Sequence, residues 1–238
     1  MTERRKILIT GATSGIGLAL AKRLVQRHDV LAVGRRAPHE ACATLPDDVA
    51  YIQADHADTS GCATAVAQGL LKLGWLKLDH VVLNAGIGTV VDDGIEDADL
   101  IRATLDTNLT APILLSRALY PWLSKAGGTL TFVGSVAHKG QGMFPTYAAS
   151  KAGLHGLARA LRSEWRGRVT VQAVHPGPTK TDMHAKAGYN PGKAGAIFIG
   201  ADQMAAMLES AMANGRSPQS LAFVRAWTGG PQLARRLS

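Results

Sequence analysis

Short apolar runs that alternate with longer segments of helical period constrain the fold of this chain more than any other feature. The runs are rich in Val, Ile and Leu, as are parallel strands that helices cover on both faces. Seven of them are predicted strands: Lys6–Thr10, Val30–Gly34, Val49–Gln53, His80–Asn84, Thr129–Gly134, Thr170–His175 and Leu221–Val224. The alternation predicts an α/β fold built from βαβ units, with a mostly parallel seven-stranded sheet flanked by helices.

Apolar residues at a spacing of three and four positions predict the helices. This pattern covers Gly17–Gln26, Thr146–Trp165 and the Ala- and Met-rich segment Ala201–Ala213. A long helical region runs from about Ala98 to Ser124, and Pro112 is expected near a bend or the start of a turn within it. No repeat or linker divides the sequence, so residues 1–238 are predicted to form a single domain.

Residues 183–200 differ from the rest because several glycines punctuate a stretch that still contains Met183, Tyr189 and Phe198. This composition is typical of a flexible apolar flap over a substrate site. An ordinary surface connection is the alternative.

Charge and cysteine content narrow the classes of protein to be considered. The formal net charge is +8, and all of the excess lies after residue 150. There Arg159, Arg162 and Arg166 recur at helical spacing without interleaved aromatic residues, which favours a solvated face over nucleic-acid binding. The two cysteines, Cys42 and Cys62, lack metal-ligand spacing, so we predict free thiols and no metal.

The first apolar run of the chain is far too short for a signal-peptide core or a membrane span. We therefore expect a cytoplasmic protein with no membrane contact.

A glycine-rich turn follows the first predicted strand. Residues 10–17 read TGATSGIG and place Gly11, Gly15 and Gly17 between a strand and a helix. Glycines at such a turn let backbone N–H groups and the positive end of a helix approach a pyrophosphate. The turn predicts a dinucleotide site, although a purely structural turn can have the same form.

Two arginines, Arg35 and Arg36, follow the second predicted strand. An acidic residue at this point would bind the free 2′-hydroxyl of NAD, whereas guanidinium groups bind a 2′-phosphate through paired hydrogen bonds. The predicted cofactor is therefore NADP, with NADPH preferred over NADH; a pair of solvated arginines is the alternative.

Tyr147 and Lys151 lie four residues apart, so a helix places their side chains on one face. A nearby ammonium favours the phenolate form and lowers the pKa of a tyrosine, which makes it a better acid and base near neutral pH. Ser135 and Asn84 stand at the ends of two predicted strands, where open parallel sheets bind their ligands. All four residues should meet the glycine-rich turn at one edge of the sheet.

From Lys6 to Met183 the chain resembles the short-chain dehydrogenase/reductase family. The resemblance depends on motifs in a fixed order: TGATSGIG at residues 10–17, Asp55, NAG at residues 84–86, Asn108, Ser135, the Tyr147–Lys151 pair and PGPTKT at residues 176–181. It implies a Rossmann-like three-layer fold and hydride transfer between NADP(H) and a carbonyl or secondary alcohol substrate. It also implies a homodimer or homotetramer.

The resemblance implies four catalytic residues. Ser135 would hydrogen-bond the substrate oxygen, and Tyr147 would give or take its proton. Lys151 would hold the nicotinamide ribose and lower the pKa of Tyr147, while Asn108 would anchor a water that links Lys151 to solvent. Asp55 would bind the adenine, Thr181 the carboxamide, and residues 84–86 the adenosine ribose region.

The full cofactor-binding prediction comprises Gly11, Thr13, Ser14, Gly15, Ile16, Gly17, Arg35, Arg36, Asp55, Asn84, Ala85, Gly86, Tyr147, Lys151, Pro176, Gly177, Thr179 and Thr181. The predicted substrate pocket comprises Ser135, Ala137, His138, Met183 and Tyr189. For His138 and His175 we favour packing or substrate-shaping roles over proton transfer, because Tyr147 already fills the latter.

Functions of other classes fit less well. The spacing of Gly11, Ser14 and Gly15 is wrong for the nucleophile elbow of a serine hydrolase. The segment from Gly188 to Lys193 is one residue short of a phosphate-binding loop of the nucleotide triphosphatase type. The remaining alternative is a catalytically silent NADP-binding regulatory protein of the same fold.

Overall fold

The predicted apolar runs form strands of one parallel sheet. A computed structural model describes residues 4–90, 95–181, 188, 192 and 198–221. Its sheet strands are β1 (Lys6–Thr10), β2 (Asp29–Gly34), β3 (Val49–Gln53), β4 (His80–Leu83), β5 (Thr129–Val133), β6 (Thr170–Pro176) and β9 (Gln219–Leu221). They pair in the order β3-β2-β1-β4-β5-β6-β9, and every pair is parallel. Two further strands, β7 (Thr179–Lys180) and β8 (Ile199–Gly200), form a separate parallel pair.

Helices cover both faces of the sheet because successive strand side chains point to opposite sides. Ile7 and Ile9 pack with α1 (Gly15–Leu24), α2 (Pro38–Cys42) and α7 (Ala201–Ala213) on one face. Leu8 packs with α3 (Thr59–Lys72), α5 (Ala111–Ala126) and α6 (Pro145–Glu164) on the other. The predicted three-layer α/β fold with seven sheet strands is confirmed.

The last sheet strand lies two residues earlier than predicted. It begins at Gln219, whose buried side chain donates to the carbonyls of Ala211 (2.9 Å) and Arg216 (2.7 Å). Because Gln219 is polar and its hydrogen-bond partners lie outside the strand, it does not belong to an apolar run, and the apolar pattern did not predict it as the start of the strand. Of the predicted strand Leu221–Val224, only Leu221 belongs to the described residues. The small β7–β8 pair was also missed, since two-residue strands have no periodicity.

The predicted helical region from Ala98 to Ser124 is two helices joined by a wide turn. Helix α4 (Ala98–Leu105) leads into a π-helical turn at Asp106–Thr110, and α5 follows. Pro112 stands in the first turn of α5, where its missing N–H costs little. Helix α1 begins at Gly15 instead of Gly17, because Ser14 is the last residue in extended conformation before it.

No helix among the described residues is long and apolar enough to cross a membrane. Most of the predicted flap over residues 183–200 lies outside the described residues.

Candidate active site

A cleft opens at the carboxyl ends of β1, β4, β5 and β6. Strands β2 and β3 extend the sheet to one side of β1, and β4 to β6 extend it to the other, so the cleft lies where open parallel sheets bind ligands. It contains two adjoining cavities of about 420 and 290 Å³. Both are lined by Ile16, Asn84, Gly86, Gly88 and Thr181, so they are two halves of one site.

The glycine-rich turn is packed too closely for side chains. A Cβ on Gly17 would lie 2.4 Å from the Gly11 carbonyl oxygen and 2.6 Å from Asn84 Nδ2. The Asn84 amide donates to the Thr10 carbonyl (3.1 Å), while Thr10 Oγ1 accepts from the backbone N–H groups of Asn84 and Ala85 (3.0 and 3.1 Å). Asn84 therefore braces the turn in addition to lining the cleft.

The larger cavity is lined by most of the residues predicted to bind the adenosine half of a cofactor. These are Gly11, Thr13, Ser14, Gly15, Ile16, Arg35, Asp55, Asn84, Ala85 and Gly86. Ser14 precedes helix α1 and makes no capping hydrogen bond with its side chain. Its hydroxyl and the N–H groups that begin α1 therefore face a region suited to phosphate.

The two predicted arginines have different positions. Arg35 is exposed and lines the larger cavity, and within the described chain its guanidinium makes no hydrogen bond. Arg36 does not line the cavity, and its Nη1 donates to the Thr13 carbonyl (3.0 Å). Arg35 is therefore the arginine placed to meet a ligand, and Arg36 supports the glycine-rich turn.

Ser135, Tyr147 and Lys151 come together in the smaller cavity. Ser135 precedes a 3₁₀ turn (Val136–Lys139), and its Oγ accepts from the Ala137 N–H at 3.2 Å. Tyr147 and Lys151 lie on the first two turns of α6. Lys151 Nζ donates to the Val133 carbonyl (3.2 Å) and lies 5.6 Å from the centre of the Tyr147 ring.

Burial controls the acidity of this pair. It raises the pKa of Tyr147, and a hydrogen bond to Ser135 partly offsets the rise. It also lowers the pKa of Lys151 to about 8. The expected lowering of the Tyr147 pKa by Lys151 is therefore not seen in this structure, where desolvation dominates.

Asn108 lies in the π-helical turn and is fully buried. Its amide exchanges two 2.8 Å hydrogen bonds with the backbone of Ile87 and donates to Ser150 Oγ at 3.1 Å. The side chain is therefore occupied by the protein. Its carbonyl cannot have the usual helical partner four residues on, because that residue is Pro112.

Glu96 is a residue near the site that the sequence did not indicate. Its carboxylate accepts from the backbone N–H of Thr146 at 3.1 Å and also from the Thr146 hydroxyl. Thr146 directly precedes Tyr147, so Glu96 holds the start of α6 in place. The contact joins positions fifty residues apart, and no local motif marks it.

The smaller cavity has a largely apolar wall. Ser135 and Ala137 line it, together with Val136, Met143, Phe144 and Phe198. Pro176, Gly177, Thr179 and Thr181 line it opposite. Met183 and Tyr189 lie outside the described residues.

His138, which we predicted in the substrate pocket, is not among the described residues that line this cavity. Its ring stacks on His175 with ring centres 4.0 Å apart, and its Nδ1 lies 2.7 Å from the Ser135 carbonyl. The turn after Ser135 directs this side chain behind the cavity wall.

Comparisons with known proteins agree with this geometry. The family model for short chain dehydrogenases matches residues 5–191. An uncharacterized oxidoreductase of Mycobacterium tuberculosis is 33% identical over 195 residues, 77% of this chain and 76% of that protein. The 3-oxoacyl-[acyl-carrier-protein] reductase MabA of Mycobacterium avium is 33% identical over 75% of this chain and 69% of its own length.

Among solved structures, a short chain dehydrogenase from Burkholderia cenocepacia in complex with NADP is similar. It is 32% identical, with a TM-score of 0.75 over 87% of this chain and 90% of that one.

Proposed function

The chain belongs to the short-chain dehydrogenase/reductase family of oxidoreductases, and from that premise we propose that it moves a hydride between NADP(H) and a carbonyl or secondary alcohol substrate through Ser135, Tyr147 and Lys151. The observation that carries the proposal is the convergence of these three side chains on one cavity beside the glycine-rich turn. The regulatory alternative finds no support in the comparisons, whose members are named as oxidoreductases and reductases.

Tyr147 supplies the proton in this proposal. When the substrate carbonyl is reduced, the Tyr147 hydroxyl donates to the substrate oxygen, and in the reverse direction it accepts that proton. Ser135 Oγ accepts from the Ala137 N–H and is hydrogen-bonded to Tyr147. In the proposal, its hydroxyl donates to the bound substrate oxygen and stabilises the negative charge that develops there.

Lys151 positions the cofactor. An ammonium has three N–H donors, and the Val133 carbonyl takes one of them, which leaves two for ribose hydroxyls. With a pKa of about 8, the group is mostly protonated at pH 7. The Asn108 carbonyl, which Pro112 leaves without its usual partner, is the atom we propose to hold a water next to Lys151.

The residues present fit a dinucleotide. A side chain on Gly17 would clash with Gly11 and Asn84, so the close packing of the turn requires glycine at this position. The bound nicotinamide would supply or accept the hydride. Pro176, Gly177, Thr179 and Thr181 would flank its ring, and Asp55 the adenine.

NADPH is the proposed form because Arg35 lines the larger cavity with an exposed guanidinium. A 2′-phosphate can accept two charge-assisted hydrogen bonds from this guanidinium, and NADH has no 2′-phosphate. The Burkholderia cenocepacia relative in complex with NADP supports the proposal.

Three broader statements are proposals as well. Residues 1–238 would form one NADP-binding catalytic domain, with a flap near residues 183–200. The chain would be cytoplasmic and form a homodimer or homotetramer, which cell fractionation and light scattering would test.

The decisive experiment follows NADPH oxidation with a panel of ketones, aldehydes and quinones. The wild-type protein should oxidise NADPH with at least one compound, and Tyr147→Phe should lose turnover while its NADPH affinity stays within about twofold, since the phenol acts in the transition state. Cofactor binding without oxidation across the panel, or substantial activity in Tyr147→Phe, would contradict the proposal.

A further inference from the structure

Three histidines from separate elements lie together behind Ser135. His138 is in the 3₁₀ turn, His155 is on α6 one turn beyond Lys151, and His175 is near the end of β6. One ring nitrogen of each lies within 4.8 Å of the other two. The closest pair, His155 Nδ1 and His175 Nε2, is 3.1 Å apart.

The spacing is close to that of ligands on one metal ion. Two nitrogens bound to a tetrahedral zinc ion, each at about 2.1 Å, lie about 3.4 Å apart. The ring of His138 stacks on His175 with ring centres 4.0 Å apart, so His138 must rotate before its nitrogen can bind the same ion. His138 is half-buried on a short turn.

The hydrogen bonds of the three rings indicate which of their nitrogens can bind a metal ion. If His138 Nδ1 donates to the Ser135 carbonyl, 2.7 Å away, its Nε2 is the unprotonated nitrogen. His155 Nδ1 and His175 Nε2 are 3.1 Å apart, so one of them carries the hydrogen of this contact. Metal binding at both nitrogens requires that hydrogen to move to the other nitrogen of its ring or to solvent. His175 Nδ1 is buried without a partner among the described residues, so this ring is incompletely satisfied as it stands.

The ligand set selects the kind of ion. Three imidazoles, with no carboxylate or thiolate from the described chain in the cluster, favour zinc and its neighbours over magnesium or calcium, which prefer oxygen. A neutral imidazole is the form that binds metal.

We propose that His138, His155 and His175 form a site for a divalent ion of the zinc class, with water in the fourth position. The site departs from the metal-free expectation of the sequence. Lys151 and Arg159 lie near enough to repel a cation, so we expect moderate, micromolar affinity. Binding itself is independent of the proposed function.

An effect on turnover does rest on the proposed function. The ring of His138 is bonded to the Ser135 carbonyl, and turning it toward an ion disturbs that bond. Because Ser135 lines the cavity beside Tyr147, occupancy should displace its hydroxyl and lower turnover.

The first test measures zinc on the full chain. Protein stripped with EDTA is dialysed against micromolar Zn²⁺, and bound metal is counted by mass spectrometry of the elements. One ion per chain is expected, and His155→Gln should weaken binding by at least about 10- to 100-fold, the loss usual even for a residue behind a ligand. His39→Gln, which removes an exposed histidine elsewhere, should bind like the wild type.

Two further measurements keep the proposal falsifiable. His138→Gln tests the third ligand, and Co²⁺ in place of Zn²⁺ should give the visible absorption of a four-coordinate ion. Thermal melts check that each variant is folded. Absence of zinc at micromolar concentration, or equal binding by the wild type and either cluster variant, would overturn the site.

The activity arm uses the same proteins. Zinc should lower NADPH turnover of the wild type and leave His155→Gln, which keeps its basal activity without metal, unaffected. Binding of one zinc with unchanged turnover would overturn the coupling to Ser135, whereas loss of all activity without metal would count against the proposed function instead.

Discussion

Lys151 shows how strongly one residue depends on its surroundings. Its side chain is 3% exposed, and burial lowers the pKa of its ammonium to about 8. A further fall would leave the group neutral at pH 7 and remove its charge from the site. The ammonium donates one hydrogen bond to the Val133 carbonyl, and its two remaining N–H donors can bind the hydroxyls of a cofactor.

Substitutions of single arginines test which cofactor the protein selects. Arg35→Ala should weaken NADPH binding by about tenfold or more and leave NADH binding nearly unchanged. Only NADPH has the 2′-phosphate, which two charge-assisted hydrogen bonds from Arg35 would hold. Arg36→Ala should weaken both cofactors alike, since Arg36 supports the glycine-rich turn through Thr13. Fluorescence titration of both cofactors measures the ratio.

The matched control is Arg102→Ala, which removes an exposed arginine on α4. It should bind both cofactors like the wild type. Equal losses of NADPH and NADH in Arg35→Ala would refute the assignment of the 2′-phosphate.

Helix α6 is the element that organises the site. Over two turns it presents Tyr147, Ser150 and Lys151, and Ser150 contacts the buried Asn108. Its first turn contains Pro145, and Glu96 accepts from the N–H and hydroxyl of Thr146. A carboxylate at a helix start satisfies free N–H groups and interacts favourably with the helix dipole.

Removing this cap should affect stability and turnover together. We expect Glu96→Ala to lose about 0.5–2 kcal/mol of unfolding free energy, as is usual for a cap. It should also lower kcat several-fold, because the start of α6 carries Tyr147. Urea unfolding and steady-state kinetics measure the two effects.

Asp58→Ala is the matched control, since Asp58 caps α3 through the Gly61 N–H at 3.0 Å and α3 contributes no predicted catalytic residue. It should lose similar stability with unchanged kcat. A Glu96→Ala protein with wild-type kcat would show that the cap is structural only.

At the scale of the whole molecule, a buried polar network ties the sheet together. His80 on β4 lies 2.8 Å from Thr131 Oγ1 on β5, and Thr131 donates to Gln172 on β6 at 3.0 Å. Gln172 in turn donates to the Met212 carbonyl on α7 at 3.1 Å. Since Thr131 uses its hydrogen for Gln172, His80 Nε2 must donate to Thr131. Burial keeps the ring neutral, so its Nδ1 carries no proton.

This network predicts sensitivity to acid. Burial lowers the pKa of His80 to about 3, below the ordinary 6.5, so between these values the unfolded chain binds the extra proton and stability falls as the pH falls. The wild type should lose up to about 1.4 kcal/mol per pH unit more than His80→Gln between pH 6 and 4. Urea unfolding at several pH values measures the slopes.

In His80→Gln a side-chain amide can still donate to Thr131, but it does not titrate. The difference in stability between the two proteins should therefore shrink on acidification. Parallel stability curves would show that His80 is not the group responsible.

Features that depend on neighbours along the chain could be predicted from the sequence. Strand and helix periods, the glycines of residues 10–17 and the four-residue spacing of Tyr147 and Lys151 are local patterns, and they predicted the sheet, α6 and the position of the cleft. Such patterns are readable because one helical turn or one strand pleat repeats the same side-chain direction.

Features that depend on partners from other elements became visible only in the folded protein. It distinguished the exposed Arg35 from Arg36, placed Glu96 at the start of α6 and began β9 at Gln219. It also brought His138, His155 and His175 together. These contacts join residues from different elements, and packing of helices on the sheet sets their distances, so no spacing within the sequence encodes them.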